Sequence, residues 1–179
     1  MSMCIKGSFG FLLIALILEC ANAQTCPLPF SRVGNKCYHV SLQEANWHVA
    51  DRSCRKLGAE LMVLDNQEDK LLTTTFLKSM GLSFTQSWHH SVWAGINCLG
   101  NRRTFLLARN GETVPYLNWV PLEPNNASPE EDCVGFANYN GAFGYHDIEC
   151  KVQFPYVCQR EPAEDYLCLK RDLFLKVLL

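Results

Sequence analysis

The stretch Glu123–Cys158 reads EPNNASPEEDCVGFANYNGAFGYHDIECKVQFPYVC, and its order of acids, amides, proline and cysteines decides how the whole chain is understood. Glu123-Pro124-Asn125 comes first, Glu131-Asp132-Cys133 follows, then Asp147 and Cys150, and Cys158 closes the series. Carboxylates and an amide carbonyl are the side chains that a hard cation such as calcium takes, in a shell of roughly six to eight oxygens. These donors are strung along loop-like sequence, so something must fix them in space, and disulfides on either side would do so. The stretch is expected to form a calcium-loaded recognition loop.

Outward from it, the beginning of the chain has the pattern of an export signal. Lys6 precedes the apolar run Phe11 to Leu18, and Ala21-Asn22-Ala23 places small residues where a signal peptidase inspects the chain. Residues 1–23 are expected to leave, with the mature protein starting at Gln24, secreted and extracellular. No later segment approaches about 20 uncharged apolar residues, so no membrane span is expected. Of the ten cysteines, Cys4 and Cys20 would leave with the signal. Cys26, Cys37, Cys54, Cys98, Cys133, Cys150, Cys158 and Cys168 remain, an even set that suggests disulfides but does not fix their pairing. The formal charge of −2 and the absence of a basic stripe beyond Arg102-Arg103 and Lys170-Arg171 give no reason to invoke nucleic acid.

The remaining chain suits one domain. Val33-Gly34-Asn35-Lys36 is a turn signal, and a small hairpin closed by Cys26 and Cys37 is plausible. Ser41-Leu42-Gln43-Glu44 has the form of a capping box, so a first helix is expected from there, with Ala45, Val49, Cys54 and Leu57 on one face and Gly58 as the stop. A second helix is expected from Asp65-Asn66-Gln67-Glu68 through Leu71, Leu72, Thr75 and Phe76 to Gly81. Beyond Trp88 the pattern changes to short apolar pieces, Ser91 to Ile96, Thr104 to Ala108, Cys133 to Phe136 and Tyr156 to Gln159, which read as strands with long connections.

Together these parts resemble the C-type lectin domain over about residues 26 to 160. Trp93-Ala94-Gly95-Ile96 is similar to the family's Trp-Ile-Gly-Leu core strand. Asn118-Trp119 stands ahead of the loop, and Glu123-Pro124-Asn125 and the Cys133, Cys150, Cys158 series follow in the family's order. The resemblance implies an α+β fold, two helices with two small antiparallel sheets and a long calcium-binding loop region, stapled by disulfides. The domain would span 24–160 in the long form with an N-terminal hairpin, leaving 161–179 as a C-terminal extension. It further implies the pairs Cys54–Cys158, Cys133–Cys150 and Cys26–Cys37, a cis peptide at Glu123-Pro124, and calcium and sugar ligands at Glu123, Asn125, Glu131 and Asp147. In the family Glu-Pro-Asn accompanies mannose, N-acetylglucosamine or fucose, whereas galactose binders usually carry Gln-Pro-Asp. Two vicinal sugar hydroxyls would complete the ion's shell while exchanging hydrogen bonds with the carboxylates and amides.

Three departures qualify the resemblance. Tyr145-His146-Asp147 replaces the usual Trp-Asn-Asp, so one asparagine ligand becomes His146, a poor partner for a hard cation. The remaining donors still supply about seven oxygens with a sugar included. His146 is expected either to give a ring NH to the sugar or to face solvent. The accessory calcium site retains Asn126 and Asp132 only, with no carboxylate in Asn97 to Arg102, so one calcium is expected. Asn126-Ala127-Ser128 is a glycosylation sequon followed by Pro129, which disfavours its use, and it is read as unmodified. Cys98 and Cys168 lie outside the usual framework and either pair, pinning the tail, or link two chains.

The acidic residues could be ordinary solvated surface charges, but their register with Pro124 and the cysteines argues otherwise. Trp93 and Trp119 read as core, His89-His90 lacks a matching ligand pair, and no nucleophile motif accompanies His146 and Asp147. The expectation is a non-enzymatic lectin binding glycans on microbial or host surfaces through one calcium, with homo-oligomerisation giving avidity. The alternatives are a calcium-independent module that binds a protein partner with the same loops and, more weakly, a glycosidase with paired carboxylates.

Overall fold

A computed structural model describes residues 21–85 and 88–167, with the side chains of 21–24 and 164–167 left out. Most of the export-signal expectation, Cys168 and the rest of the tail lie outside these residues. The elements are β1 (Ala21–Thr25), β2 (Ser31–Val33), β3 (Lys36–Ala45), α1 (Trp47–Lys56), β4 (Glu60–Leu61), α2 (Gln67–Ser79), β5 (Val92–Asn97), β6 (Leu106–Leu107), β7 (Cys133–Tyr139), β8 (Ala142–Ile148), β9 (Phe154–Arg160) and β10 (Ala163–Leu167), with a 3-10 turn at Trp88–His90. Among the described residues, β1 and β10 pair with each other in a two-stranded sheet.

The other strands form one eight-stranded sheet in the order β2-β3-β9-β5-β7-β8, with β4 on β9 and β6 on β5. Two small antiparallel sheets were expected. Instead β5 joins β9 in parallel at Trp93 and Tyr156, which fuses them into one mixed sheet. Successive residues of a strand face opposite sides, so β5 supplies two cores. Val92, Ala94 and Ile96 pack with Met62, Leu64, Leu77 and Phe136, whereas Trp93 packs with Trp47, Leu61, Phe154 and Cys158. Helix α2 contributes Leu77 to the first core and α1 contributes Trp47, Ala50 and Cys54 to the second.

Both helix starts teach something about competing signals. Ser41–Ala45, read as a helix start, continues β3 because Ser41 pairs with Tyr156 and Ala45 with Phe154. Sheet pairing has overridden the local capping signal. The actual cap of α1 is Asn46, whose Oδ1 accepts from Val49 N at 3.0 Å. Its buried face is Trp47, Ala50 and Cys54, while Val49 and Leu57 are exposed. Gly58, with φ +64°, follows the end of α1 as expected. Helix α2 begins at its expected place, capped by Asn66. Thr73, Thr74 and Leu77 face inward there, leaving Leu71 and Leu72 exposed.

Disulfides join Cys26 to Cys37, Cys54 to Cys158 and Cys133 to Cys150. The second ties α1 to β9 across 104 positions, which on the chain-entropy account contributes about 4 to 5 kcal/mol. Cys98 is a buried thiol, unbridged among the described residues, whose Sγ lies 3.4 Å from Asp132 Oδ1, and its pairing with Cys168 lies outside the described residues. A buried ion cluster fastens the β2–β3 hairpin to α2. Lys36 Nζ reaches Asp69 Oδ2 at 2.7 Å, Asp65 Oδ2 at 2.8 Å and the Val63 carbonyl at 2.8 Å.

Candidate functional site

The long connection after Trp119 is laid onto β8 by backbone bonds before it reaches the acids. Tyr145 N donates to Asn118 O at 2.8 Å and Val120 N donates to Tyr145 O at 2.9 Å. Gly144 permits this approach, since a Cβ there would stand 2.6 Å from Asn118 O. Trp119 packs edge-on against Phe105 and Tyr145, and Trp93 is fully buried, so both tryptophans belong to the core as expected. Glu123 is thereby carried over the Asp147 end of β8.

The Glu123-Pro124 peptide is cis, and Asn125 Nδ2 donates to Glu123 Oε1 at 2.9 Å. Glu123, Asn125, Glu131, His146 and Asp147 line one cavity of about 440 Å³, together with Trp88, Tyr139, Glu149 and Val152. The sequence-derived ligand set is therefore brought to one place. Its carboxylates share the cavity without converging on one point: among the described residues, no three His, Cys, Asp or Glu side chains stand close enough together to hold a metal ion.

Asp147 explains much of this spacing. Its side chain is fully buried. Asn125 N donates to Oδ1 at 3.0 Å, Asn126 N to Oδ2 at 3.0 Å, and Arg103 Nη1 to Oδ2 at 2.6 Å. Burial opposes ionisation of Asp147, but hydrogen bonds from Glu123, Arg103 and the two amides outweigh it and hold its pKa below the ordinary aspartate value. Glu123 shows the opposite behaviour. Burial first, then its hydrogen bond to Asp147 and the repulsion between the two, push it well above the carboxylate range. Glu131 is raised by burial and by Asp147, and its Oε2 is buried with no hydrogen-bond partner.

These features fit a divalent cation. A buried carboxylate oxygen without a partner is costly and calls for a donor or an ion. Glu123 keeps its proton and shares it with Asp147, a proton that a divalent ion entering the cavity would displace, bringing three carboxylates against one guanidinium. The remaining acid of the cavity, Glu149, is paired with Lys151 at 3.0 Å and with Ser128. Glu123, Asn125, Glu131 and Asp147 are the residues that would hold the ion.

His146 departs from one of its two sequence expectations. It is 1% exposed, so it does not face solvent. Its Nε2 lies 2.7 Å from Ser91 Oγ, and Ser91 gives its own hydrogen to the Trp88 carbonyl. Nε2 of the ring is thus engaged with Ser91. Burial lowers the His146 pKa to about 4, against the opposing influence of the Asp147 backbone and carboxylate, and the ring is neutral.

Two functional residues were missed in the sequence. Arg103 was read only as half of a basic pair, although a cation next to a segment lacking the expected acids is itself a signal. Ser91, read only as a strand end, carries no sequence signal of its own and acquires its role from the register that sets Gly135 opposite His146.

Comparison with known proteins places this arrangement. The Lectin C-type domain family matches residues 43–160. The chain belongs to the C-type lectin domain family. It is 31% identical over 155 residues to C-type lectin 37Db of Drosophila melanogaster, covering 82% of this chain and 96% of that protein. It is 28% identical to a C-type lectin mannose-binding isoform of Oxyuranus scutellatus, covering 85% and 94%. Among solved structures, the cow C-type carbohydrate-recognition domain of CD23, studied in the presence of a GlcNAc2Man3 oligosaccharide, superposes with a TM-score of 0.63 at 25% identity, covering 79% of this chain and 99% of that one. The fold is the C-type lectin fold, and the family's domains are generally non-enzymatic, carbohydrate-binding and typically calcium-binding. Among the described residues no helix is long and apolar enough to cross a membrane.

Proposed function

We propose that this chain is a secreted, calcium-dependent lectin for mannose-type glycans, including N-acetylglucosamine and fucose, on microbial or host surfaces. The observation that carries this reading is the single cavity lined by Glu123, Asn125, Glu131 and Asp147, with Glu131 Oε2 left unpartnered inside it. One calcium is held by these four residues, and the same residues meet two neighbouring sugar hydroxyls. His146 lines the same cavity, with its Nε2 beside Ser91 Oγ. Residues 24–160 form the binding domain after removal of 1–23, and the three disulfides suit an oxidising, extracellular setting. Asn126 stays unglycosylated, because Pro129 after its sequon disfavours use of the site, and a glycan there would obstruct the cavity beside Asn125. Several copies, as a homo-oligomer, give useful avidity for a weak single site.

The test is retention on immobilised mannose with calcium, elution by chelator, and repetition with Glu123→Gln plus Asn125→Asp. The parent is expected to elute with chelator, and the double variant to shift its preference toward galactose. Retention that ignores chelator would contradict the proposal. It would favour the second reading, a calcium-independent protein-binding module, for which the Arg103–Asp147 ion pair is the specific supporting observation.

A further inference from the structure

The segment between β5 and β6 brings a positive charge to the back of the cavity. Arg103 has φ +62°, a left-handed backbone uncommon for a residue with a side chain and found where the surroundings over-determine it. Its guanidinium lies 5.0 Å from the centre of the Phe105 ring, and Phe105 in turn packs edge-on against Trp119. So braced, Nη1 points at three groups of the long loop and β8: Asp147 Oδ2 at 2.6 Å, Asn126 Oδ1 at 3.3 Å and the Glu131 carbonyl at 3.5 Å. The first is a strong charge-assisted bond and the other two are long. Asn126 and Asp132 are the residues the sequence offered toward a second calcium. Asn126 Oδ1 faces Arg103, and Asp132 Oδ1 faces the Cys98 thiol.

We propose that Arg103 is the loop's built-in cation, a positioning residue that ties Asp147, Asn126 and the Glu131 carbonyl together so that the loop is set for one divalent ion without help from a second. The geometry divides the labour on Asp147. Oδ2 is held by Arg103 and Asn126 N, while Oδ1 takes only Asn125 N among the loop amides. The guanidinium therefore anchors the carboxylate through Oδ2 and leaves Oδ1 the less occupied oxygen. A planar fork fixed over an aromatic ring is also more directional than a hydrated ion, so the loop amides keep their register before any ion arrives.

The calcium side of this inference rests on the proposed function, but its test does not. Amide hydrogen exchange of residues 121–132 is measured on the full chain in chelator. In the parent, the Asn125 and Asn126 amides are protected through Asp147. Arg103→Met is expected to speed their exchange by about tenfold or more, the equivalent of losing a bond of roughly 1.4 kcal/mol, while amides of β3 and β9 stay unchanged. Arg103→Lys, which keeps the charge but loses the fork, should keep exchange within about threefold of the parent. Unchanged exchange in Arg103→Met, equal behaviour of the Met and Lys variants, or acceleration spread evenly through β3 and β9 would each overturn the proposal. A parent that takes up no calcium, yet shows the expected exchange pattern, would defeat the lectin reading and leave this one standing.

Discussion

Two buried ionic clusters sit in this domain, and they are built to different rules. Around Lys36, one ammonium serves Asp69, Asp65 and a carbonyl, and Asp69 also accepts from the Asp65 amide and Thr73. Around Arg103, one guanidinium reaches the Asp147 carboxylate, Asn126 Oδ1 and the Glu131 backbone carbonyl, and a side-chain oxygen of Glu131 has no partner. The first cluster is complete within the chain and holds two elements together. The second lines a cavity and leaves a buried carboxylate oxygen without a partner, which marks it as a candidate functional site.

If that contrast is right, damage to the two clusters should register in different experiments. The largest expected effect is at Lys36. Lys36→Met leaves Asp69 buried without its partner and is expected to cost about 3 to 5 kcal/mol in denaturant unfolding, with calcium present or absent. A loss below about 1 kcal/mol would mean that the completed cluster is not what fastens the hairpin to α2.

A smaller effect with a different signature is expected at Glu131. In chelator, Glu131→Gln removes an unpartnered oxygen and a repulsion with Asp147, so stability should change by no more than about 0.5 kcal/mol or rise slightly. The parent should gain about 2.7 kcal/mol from calcium at one hundred times its dissociation constant, and the variant should lose most of that gain. Equal stabilisation of both by calcium would remove Glu131 from the ligand set.

How much of this could be read from the sequence differs between the same two regions. Asn66 at the start of α2, Gly58 after α1 and the Gly34-Asn35 turn are local signals, and each acts where the local chemistry says it should. The Ser41-Leu42-Gln43-Glu44 signal failed because β9 offered that segment a ladder, a distant partner that local pattern does not reveal. The β7–β8 hairpin was legible but overlooked. Asn140-Gly141, both at positive φ between paired Tyr139 and Ala142, is a strong two-residue turn signal. At the site, Glu123, Asn125, Glu131 and Asp147 were legible because a sequential motif carries them. Arg103 and Ser91 were not, since each meets its partner only through strand register and a loop crossing: Arg103 reaches Asp147 forty-four positions away and Ser91 reaches His146 fifty-five positions away.

The central claim is that the cavity beneath Glu123 and Asn125 seats a single divalent cation. Calorimetric titration of the purified chain with calcium tests it most directly. One ion per chain is expected in the parent, with uptake lost in Glu131→Gln. No uptake by the parent, or two ions taken up with comparable strength, would contradict the account.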